Sequence, residues 1–436
     1  MKFVETIKNI FKIEELRKRL VYTFILILIY RFGCFVVLPG IDASMLAGLQ
    51  STSSQGLVGL LNMFSGGAFG NASIFALGVM PYISASIVVQ LLGVFVGKFR
   101  KMQAEESGRR KLNQITRLLT IVILCIQGPA YISNIMHQYP NAFLVSSKLY
   151  ILAATVILLG GSMFVMWLGE RITERGIGNG ISLIIMIGII ARLPQAFMAE
   201  VLSKAGSTTG GILLLIVEFV ILFFVFVAAI ALVQAVRKVP VQYANRVIGN
   251  KQYGGVRQYI PLKVNASGVM PIIFAQAIML FPIIFSRFDA TRGFAAAMSN
   301  YTGFWYNLVF GFLVIVFTYF YTAVTFQPNM MAEDMKKNGG FIPGVKPGKK
   351  TMEYLDTIMT RIVLPGSIFL AIIAVLPAIA TLCGVNNQFA SFYGGTSLLI
   401  LVGVVLDTLQ QVESHLLMRH YDGLMKTGRL TGRSGM

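Results

Sequence analysis

Charge is scarce in this chain. Asp, Glu, Lys and Arg make up 13% of its 436 residues, where an average soluble protein carries about 25%. Acids are the scarcest, 18 against 37 basic residues. Cysteine and histidine occur three times each. Cys34, Cys125 and Cys383 stand alone within or at the end of apolar runs, which argues against a disulfide framework. His137, His415 and His420 lack metal-ligand spacing. No paired carboxylates, nucleophile–base pair, phosphate loop or zinc signature appears. The chain therefore reads as a non-enzyme, with no metal site and no cofactor.

What is abundant is apolar: 56% of the residues are hydrophobic. Ten runs stand out: Leu20–Leu38, Ala72–Val96, Leu118–Ile135, Leu149–Leu168, Ile181–Leu193, Ile212–Val236, Val269–Ile284, Trp305–Phe326, Ile362–Cys383 and Ser397–Leu417. A membrane-crossing helix needs about 20 residues. The fifth run is short and is expected to begin before Ile181, and the tenth carries Asp407, Gln410, Gln411 and Glu413. The expected fold class is an all-α polytopic membrane protein with ten transmembrane helices. The first run is too long for a signal core and lacks a small-residue cleavage site, so it reads as a retained span. Residues 1–19 read as a helix on the cytoplasmic membrane surface, with Phe3, Ile7, Ile10, Phe11 and Ile13 roughly along one side.

The net charge of +19 sits in alternate loops. One set comprises the N-terminus, Lys98–Lys111, Arg171–Arg175, Arg237–Lys263, Lys336–Arg361 and Arg419–Arg433. The other holds little more than Lys148, Arg192, Lys204, Arg287 and Arg292. The positive-inside rule puts both termini in the cytoplasm, with cytoplasmic loops 237–265 and 327–361 and a tail at 418–436.

Gly78-Val79-Met80-Pro81 returns as Gly268-Val269-Met270-Pro271, and the match extends through Ala76/Ala266, Ile83/Ile273 and Ala85/Ala275. A weaker echo pairs Gly180, Ser182, Leu183 and Ile185 with Gly395, Ser397, Leu398 and Ile400. The halves are residues 20–200 and 201–417, each with five spans. Five is odd, so the second half starts on the opposite side: an inverted repeat, the device that builds pores and transporters. Symmetry makes Ile83 equivalent to Ile273 and Ile185 to Ile400. With Val79 and Ile181 these aliphatics suit a ring that excludes water and ions by dewetting, and equally suit ordinary packing.

Residues 51–71 are rich in glycine and too short to span. They read either as a re-entrant segment able to block a pore or as an external loop. Pro81 and Pro271 fit the first turns of spans two and seven, where a missing N–H costs nothing. Ser84, Ser86, Gln90, Asn265 and Gln276 add polar groups to those spans, either as a seam that opens or as helix glue. Arg31, Glu218 and Asp407 are the few deep charges. They leave a rival open, a secondary solute transporter with inverted repeats.

The chain strongly resembles the SecY family over nearly its whole length. The stretches that carry the resemblance include Tyr30-Arg31-Phe32-Gly33, Leu38-Pro39-Gly40-Ile41-Asp42, Asn62-Met63-Phe64-Ser65-Gly66-Gly67-Ala68, Pro81-Tyr82-Ile83-Ser84-Ala85-Ser86, Glu106-Ser107-Gly108-Arg109-Arg110-Lys111, Ile172-Thr173-Glu174-Arg175-Gly176-Ile177-Gly178-Asn179-Gly180, Phe341-Ile342-Pro343-Gly344 and Gly394-Gly395-Thr396-Ser397. The resemblance implies a clamshell with an hourglass pore that conducts unfolded secretory polypeptide and releases membrane segments sideways into lipid. It implies a pore ring at Val79, Ile83, Ile181, Ile185, Ile273 and Ile400. It implies a plug around Asn62, Met63, Phe64, Ser65, Gly66 and Gly67, and a lateral gate that includes Ser84, Ser86, Gln90, Asn265 and Gln276. Arg246, Lys251, Arg257, Lys263 and Lys346 are implied to dock the ribosome, through its RNA, or the SecA motor. Signal sequences, nascent polypeptides, membrane lipid and the subunits SecE and SecG are implied partners, with SecDF and YidC as further candidates. The implied location is the bacterial inner membrane.

Three positions depart from the family pattern. Lys346 stands where many members have arginine, so the charge stays but the bidentate fork is lost. Ala104-Glu105-Glu106 replaces Glu-Gly-Glu. Val79 replaces a frequent isoleucine, one methylene smaller.

Overall fold

The computed structural model describes residues 13–42, 62, 64–144, 148–205, 211–243, 246–248, 251–253, 257–279, 298 and 302–427. The elements in chain order are α1 (Glu14–Gly33), α2 (Met80–Phe95), α3 (Gly97–Ala104), α4 (Glu106–Gln138), α5 (Lys148–Arg175), α6 (Gly180–Ala205), α7 (Gly211–Gln234), β1 (Val236–Tyr243), β2 (Arg246–Ile248), β3 (Lys251–Tyr253), β4 (Arg257–Lys263), α8 (Met270–Ile278), α9 (Phe304–Thr325), α10 (Pro328–Lys337), β5 (Gly340–Phe341), α11 (Lys349–Leu382), α12 (Asn387–Ala390) and α13 (Gly395–Thr427).

Every one of the ten apolar runs carries a helix, and among the described residues seven of these helices are long and apolar enough to cross a membrane. The exposed surface is itself apolar. On α7 only Gly211, Glu218, Ala229 and Leu232 are buried, while Ile212, Leu213, Phe223 and Phe224 are more than 60% exposed. A helix apolar all round needs lipid or protein around it.

The helices overrun or fall short of several apolar runs, and three of these differences bear on expected elements. The first run's helix covers residues 14–33, so residues 14–19 continue into α1 rather than forming a separate surface element; residues 1–12 of that expected element lie outside the described residues. The second run's helix begins at Met80 rather than Ala72. Residues 72–79 are turns, because Leu38 N–H donates to Ala72 O (3.0 Å) and Ile74 N–H to Val36 O (2.9 Å), which ties the segment to 36–38 in extended pairing. The tenth run's helix continues past Leu417 to Thr427, into the expected tail.

The chain packs into two compact units, Met1–Pro194 with Val404–Met436, and Gln195–Gly403. In the first, Leu38, Ala72, Ala76, Leu124, Tyr131, Ile132 and Leu158 form a buried core that joins the 36–38 and 72–76 segments to α4 and α5. In the second, Val239, Val241, Leu262, Met335, Ile342, Leu355 and Met359 form another, under a sheet of order β4-β1-β5. β1 pairs antiparallel with β4 from Val236↔Lys263 to Gln242↔Arg257, and with β5 at Gln242↔Phe341 and Tyr243↔Gly340. The basic loops 237–263 and 340–346, read as separate in the sequence, thus meet in one sheet.

The repeat is visible in the backbone. Gly78 and Gly268 both adopt positive φ, 52° and 62°, and α2 and α8 both start two residues later, at Met80 and Met270. Ile83 N–H donates to Val79 O (3.0 Å) as Ile273 N–H donates to Val269 O (3.4 Å). The weaker echo also aligns, because Gly180 and Gly395 each open a helix.

Candidate functional site

Of the glycine-rich segment, residues 62 and 64–71 form a folded, largely buried turn structure in the first unit, and residues 51–61 lie outside the described residues. Asn62 and Ser65 are fully buried. Asn62 O accepts from Gly67 N–H (2.8 Å), its side-chain Oδ1 accepts from Gly70 N–H (2.8 Å), and Ser65 Oγ accepts from Phe69 N–H (3.0 Å). Gly66 and Gly67 have φ of 64° and 92°, a left-handed region that costs glycine nothing and other residues strain.

Three helices clasp this turn. From α1, Tyr30 Oη donates to Ser65 O (3.2 Å) and Arg31 Nη1 to Gly66 O (2.9 Å). From α4, Tyr131 Oη donates to Phe69 O (2.7 Å), with the two rings 4.6 Å apart. From α6, Gly188 packs its backbone against Gly66: a Cβ on Gly188 would lie 3.0 Å from Gly66 N and 3.2 Å from Phe64 O. Arg192, one turn further along α6, brings its guanidinium beside Gly67. Arg31, one of the few deep charges, holds this turn. Met63 lies outside the described residues.

Four of the expected ring residues belong to this unit. Val79 is buried at the start of α2 and Ile83 lies one turn on, half-buried; Ile181 and buried Ile185 lie one turn apart in the first turns of α6. In the second unit Ile273 lies in the first turn of α8 and buried Ile400 in the second turn of α13. All six stand at or near the starts of helices.

The expected gate residues find partners close in sequence. Ser84 Oγ donates to Met80 O (3.1 Å), Gln90 Nε2 to Ser86 Oγ (3.3 Å), and Ser267 Oγ to Asn265 Oδ1 (3.3 Å). Gln276 is half-buried on α8. Each of these bonds stays within four residues of its own segment and needs no neighbouring helix.

Lys263 is exposed at the end of β4, and Lys346 is exposed beyond β5. The Lys346 carbonyl accepts from Thr351 Oγ1 (3.0 Å), which anchors that turn to α11. Arg246 pairs with Tyr253, Lys251 with Ile248, and Arg257 with Gln242 in the strand register.

Sequence reasoning missed Tyr30, Gly188 and the group Glu200, Lys204 and Tyr393. A signal existed for Glu200 and Lys204, an acid–base pair four apart at the end of an apolar helix. Glu218, another of the deep charges, pairs with Lys204 at 2.9 Å. Asp407 is exposed. Tyr393 Oη donates to Glu218 O (2.8 Å); burial, reinforced by the Glu218 and Glu200 carboxylates, pushes its phenol up.

The chain, with a helix at each of ten apolar runs, a buried, clasped turn and an internal repeat, shares its fold with solved protein-conducting channels. One solved structure of that class, concerning the plug domain of a SecY protein, superposes with a TM-score of 0.60 at 16% identity, covering 92% of each chain. Sec61 in the canine ribosome–channel complex superposes with a TM-score of 0.55 at 16% identity, covering 92% of this chain and 93% of that one. The SecY sequence model matches residues 73–409. The protein translocase subunit SecY of Chlamydia trachomatis serovar D is 39% identical, covering 98% of this chain and 99% of that one. The chain belongs to the SecY family.

Proposed function

We propose that this chain is a protein-conducting channel. Unfolded secretory polypeptide crosses the membrane through it, and apolar segments leave it sideways into lipid. The observation that carries the reading is the turn at Ser65–Gly67, buried and clasped by Tyr30, Arg31, Tyr131 and Gly188 in a chain of this family. In the relative whose plug domain has been studied, the plug stabilises the closed state and maintains a membrane seal. Here Asn62, Met63, Phe64, Ser65, Gly66 and Gly67 take that role.

Val79, Ile83, Ile181, Ile185, Ile273 and Ile400 line the narrowest part of the path. Branched aliphatics exclude ions by dewetting and yield to varied side chains because dispersion is not sequence-specific. Ser84, Ser86, Gln90, Asn265 and Gln276 form the polar part of the lateral gate. A signal sequence opens the channel to the extent that it binds the open state more tightly. Arg246, Lys251, Arg257, Lys263 and Lys346 meet the ribosome or the SecA motor. The sheet that joins both basic loops supports this, since it contains β4, which ends at Lys263, and β5, which leads to the turn of Lys346. Energy comes from that motor, translation or the proton gradient. SecE and SecG complete the assembly in the bacterial inner membrane, with both termini cytoplasmic and SecDF and YidC as accessory partners.

The test places a photo-crosslinking residue at Ile83, Ile273 or Ile400 in turn, in membranes loaded with a stalled, signal-bearing secretory chain. Crosslinks at all three that require the signal sequence are expected. A bound chain that crosslinks at none moves the path elsewhere.

A further inference from the structure

We propose that Thr23, Thr173 and Gln411 are positioning residues for the pore. From three different helices they hold the loop that opens α6, and so set where Ile181 and Ile185 stand. The inference rests on the channel reading above, because it takes those two isoleucines as part of the ring.

α5 ends at Arg175 and α6 starts at Gly180, so residues 176–179 alone join them. A helix start leaves backbone N–H groups without partners inside the helix. Here the N–H groups end on side chains. Ile177 N–H donates to Thr23 Oγ1 of α1 (3.1 Å), Gly178 N–H to Gln411 Oε1 of α13 (2.8 Å), and Gly180 N–H to Thr173 Oγ1 of α5 (2.8 Å). Asn179 caps the helix itself, its Oδ1 accepting from Ser182 N–H (3.3 Å). Two of the acceptors are fixed in turn: Thr23 Oγ1 donates to Arg19 O (2.9 Å) and Thr173 Oγ1 to Gly169 O (3.0 Å).

Packing leaves the loop no slack. Ile172, Gly176, Ile177, Gly178 and Gly180 are all buried. Gly178 has a φ of 79°, and a Cβ there would lie 3.0 Å from Thr408 Oγ1, one turn before Gln411 on α13. A Cβ on Gly176 would run into Thr23 Oγ1, and one on Gly180 into Gly169 O. Ile181 rests on Gly169, where a Cβ would lie 2.8 Å from Ile181 Cγ1. The first ring residue of α6 is thus seated on α5 directly after the loop, and Ile185 follows one turn on. Thr23 and Gln411 reach the loop from 154 and 233 positions away. Losing either acceptor strands a backbone N–H in a buried loop. The loop relieves this by moving toward water, and the start of α6 moves with it.

The test uses the full chain in membranes loaded with a stalled, signal-bearing secretory chain. The photo-crosslinking residue sits at Ile185 or, as a control on α2, at Ile83. Thr23→Val and Gln411→Met remove an acceptor at nearly constant shape, while Thr23→Ser and Gln411→Glu keep it. Losing one such bond shifts a two-state equilibrium by roughly fivefold. The ratio of crosslinking from position 185 to that from position 83 is therefore expected to fall to that extent in Thr23→Val and Gln411→Met, and to return in Thr23→Ser and Gln411→Glu. An unchanged ratio, an equal loss at both positions, or a loss that the conservative pair fails to restore overturns the proposal. Amide hydrogen exchange in the wild type is a readout that needs no variant to fold. Slow exchange at Ile177, Gly178 and Gly180 is expected, and exchange as fast as in an open loop overturns the proposal. A bound chain that crosslinks from neither position in the wild type overturns the channel reading, and this inference with it, so the wild-type control tells the two failures apart.

Discussion

Arg31 Nη1 donates a 2.9 Å hydrogen bond to the carbonyl of Gly66, a residue 35 positions further along the chain. The bond turns a deep membrane charge into a fastener for the glycine-rich turn. A hydrogen bond with a charged donor contributes about 1.5–3 kcal/mol, and Arg31 is half-buried, so the lower end applies. Arg31→Ala is expected to loosen the turn and raise the ion conductance of resting channels in planar bilayers. Unchanged conductance would remove Arg31 from the seal.

Gly188 and Gly66 are in backbone contact, so side-chain size at position 188 reads out the clasp. In Gly188→Ala the new Cβ meets Gly66 N at 3.0 Å, and backbone must shift at about 1–3 kcal/mol. Gly160 and Gly403 are helical glycines with open space around them, and alanine there should stabilise by about 0.5–1 kcal/mol. Thermal melts are expected to separate Gly188→Ala from Gly160→Ala in sign.

The repeat predicts equal behaviour at equivalent positions. Ile83→Ser and Ile273→Ser each replace a branched aliphatic in the first turns of α2 and α8 with a group that wets. Ion leak is expected to rise in both, to a similar degree. A leak from one alone would break the equivalence.

Lys263 and Lys346 are exposed and belong to loops joined by the β4-β1-β5 sheet. If each meets a phosphate of ribosomal RNA, each removed contact lowers the slope of log affinity against log salt by about 0.9. Lys263→Gln with Lys346→Gln is expected to flatten ribosome binding by about twice that. A uniform loss of affinity with the slope intact would point to a protein contact instead.

Much of the fold was legible along the chain. The apolar runs located a helix at each of the ten spans, and Pro81 and Pro271 placed two helix starts correctly, since a proline belongs in a first turn. The Ala72 boundary misled because residues 72–79 are apolar yet turned. Hydropathy reports burial, and here the segment is buried as irregular backbone paired with 36–38. The strands of 236–263 left a weak trace, the alternation of Val239 and Val241 with Lys238, Pro240 and Gln242, overshadowed by the basic charge.

The sequence by itself determined the membrane class, the span count, the repeat and the basic loops, because each is a local or periodic property of the chain. The tertiary structure alone decided that Gly188 meets Gly66, that Tyr30 and Arg31 hold residues 65 and 66, that β5 joins β1, and that Lys204 pairs with Glu218. Each of these is a contact between residues far apart in sequence. Backbone hydrogen bonding and close packing select such contacts only once the helices and turns are assembled, and no local pattern encodes which partner will be met.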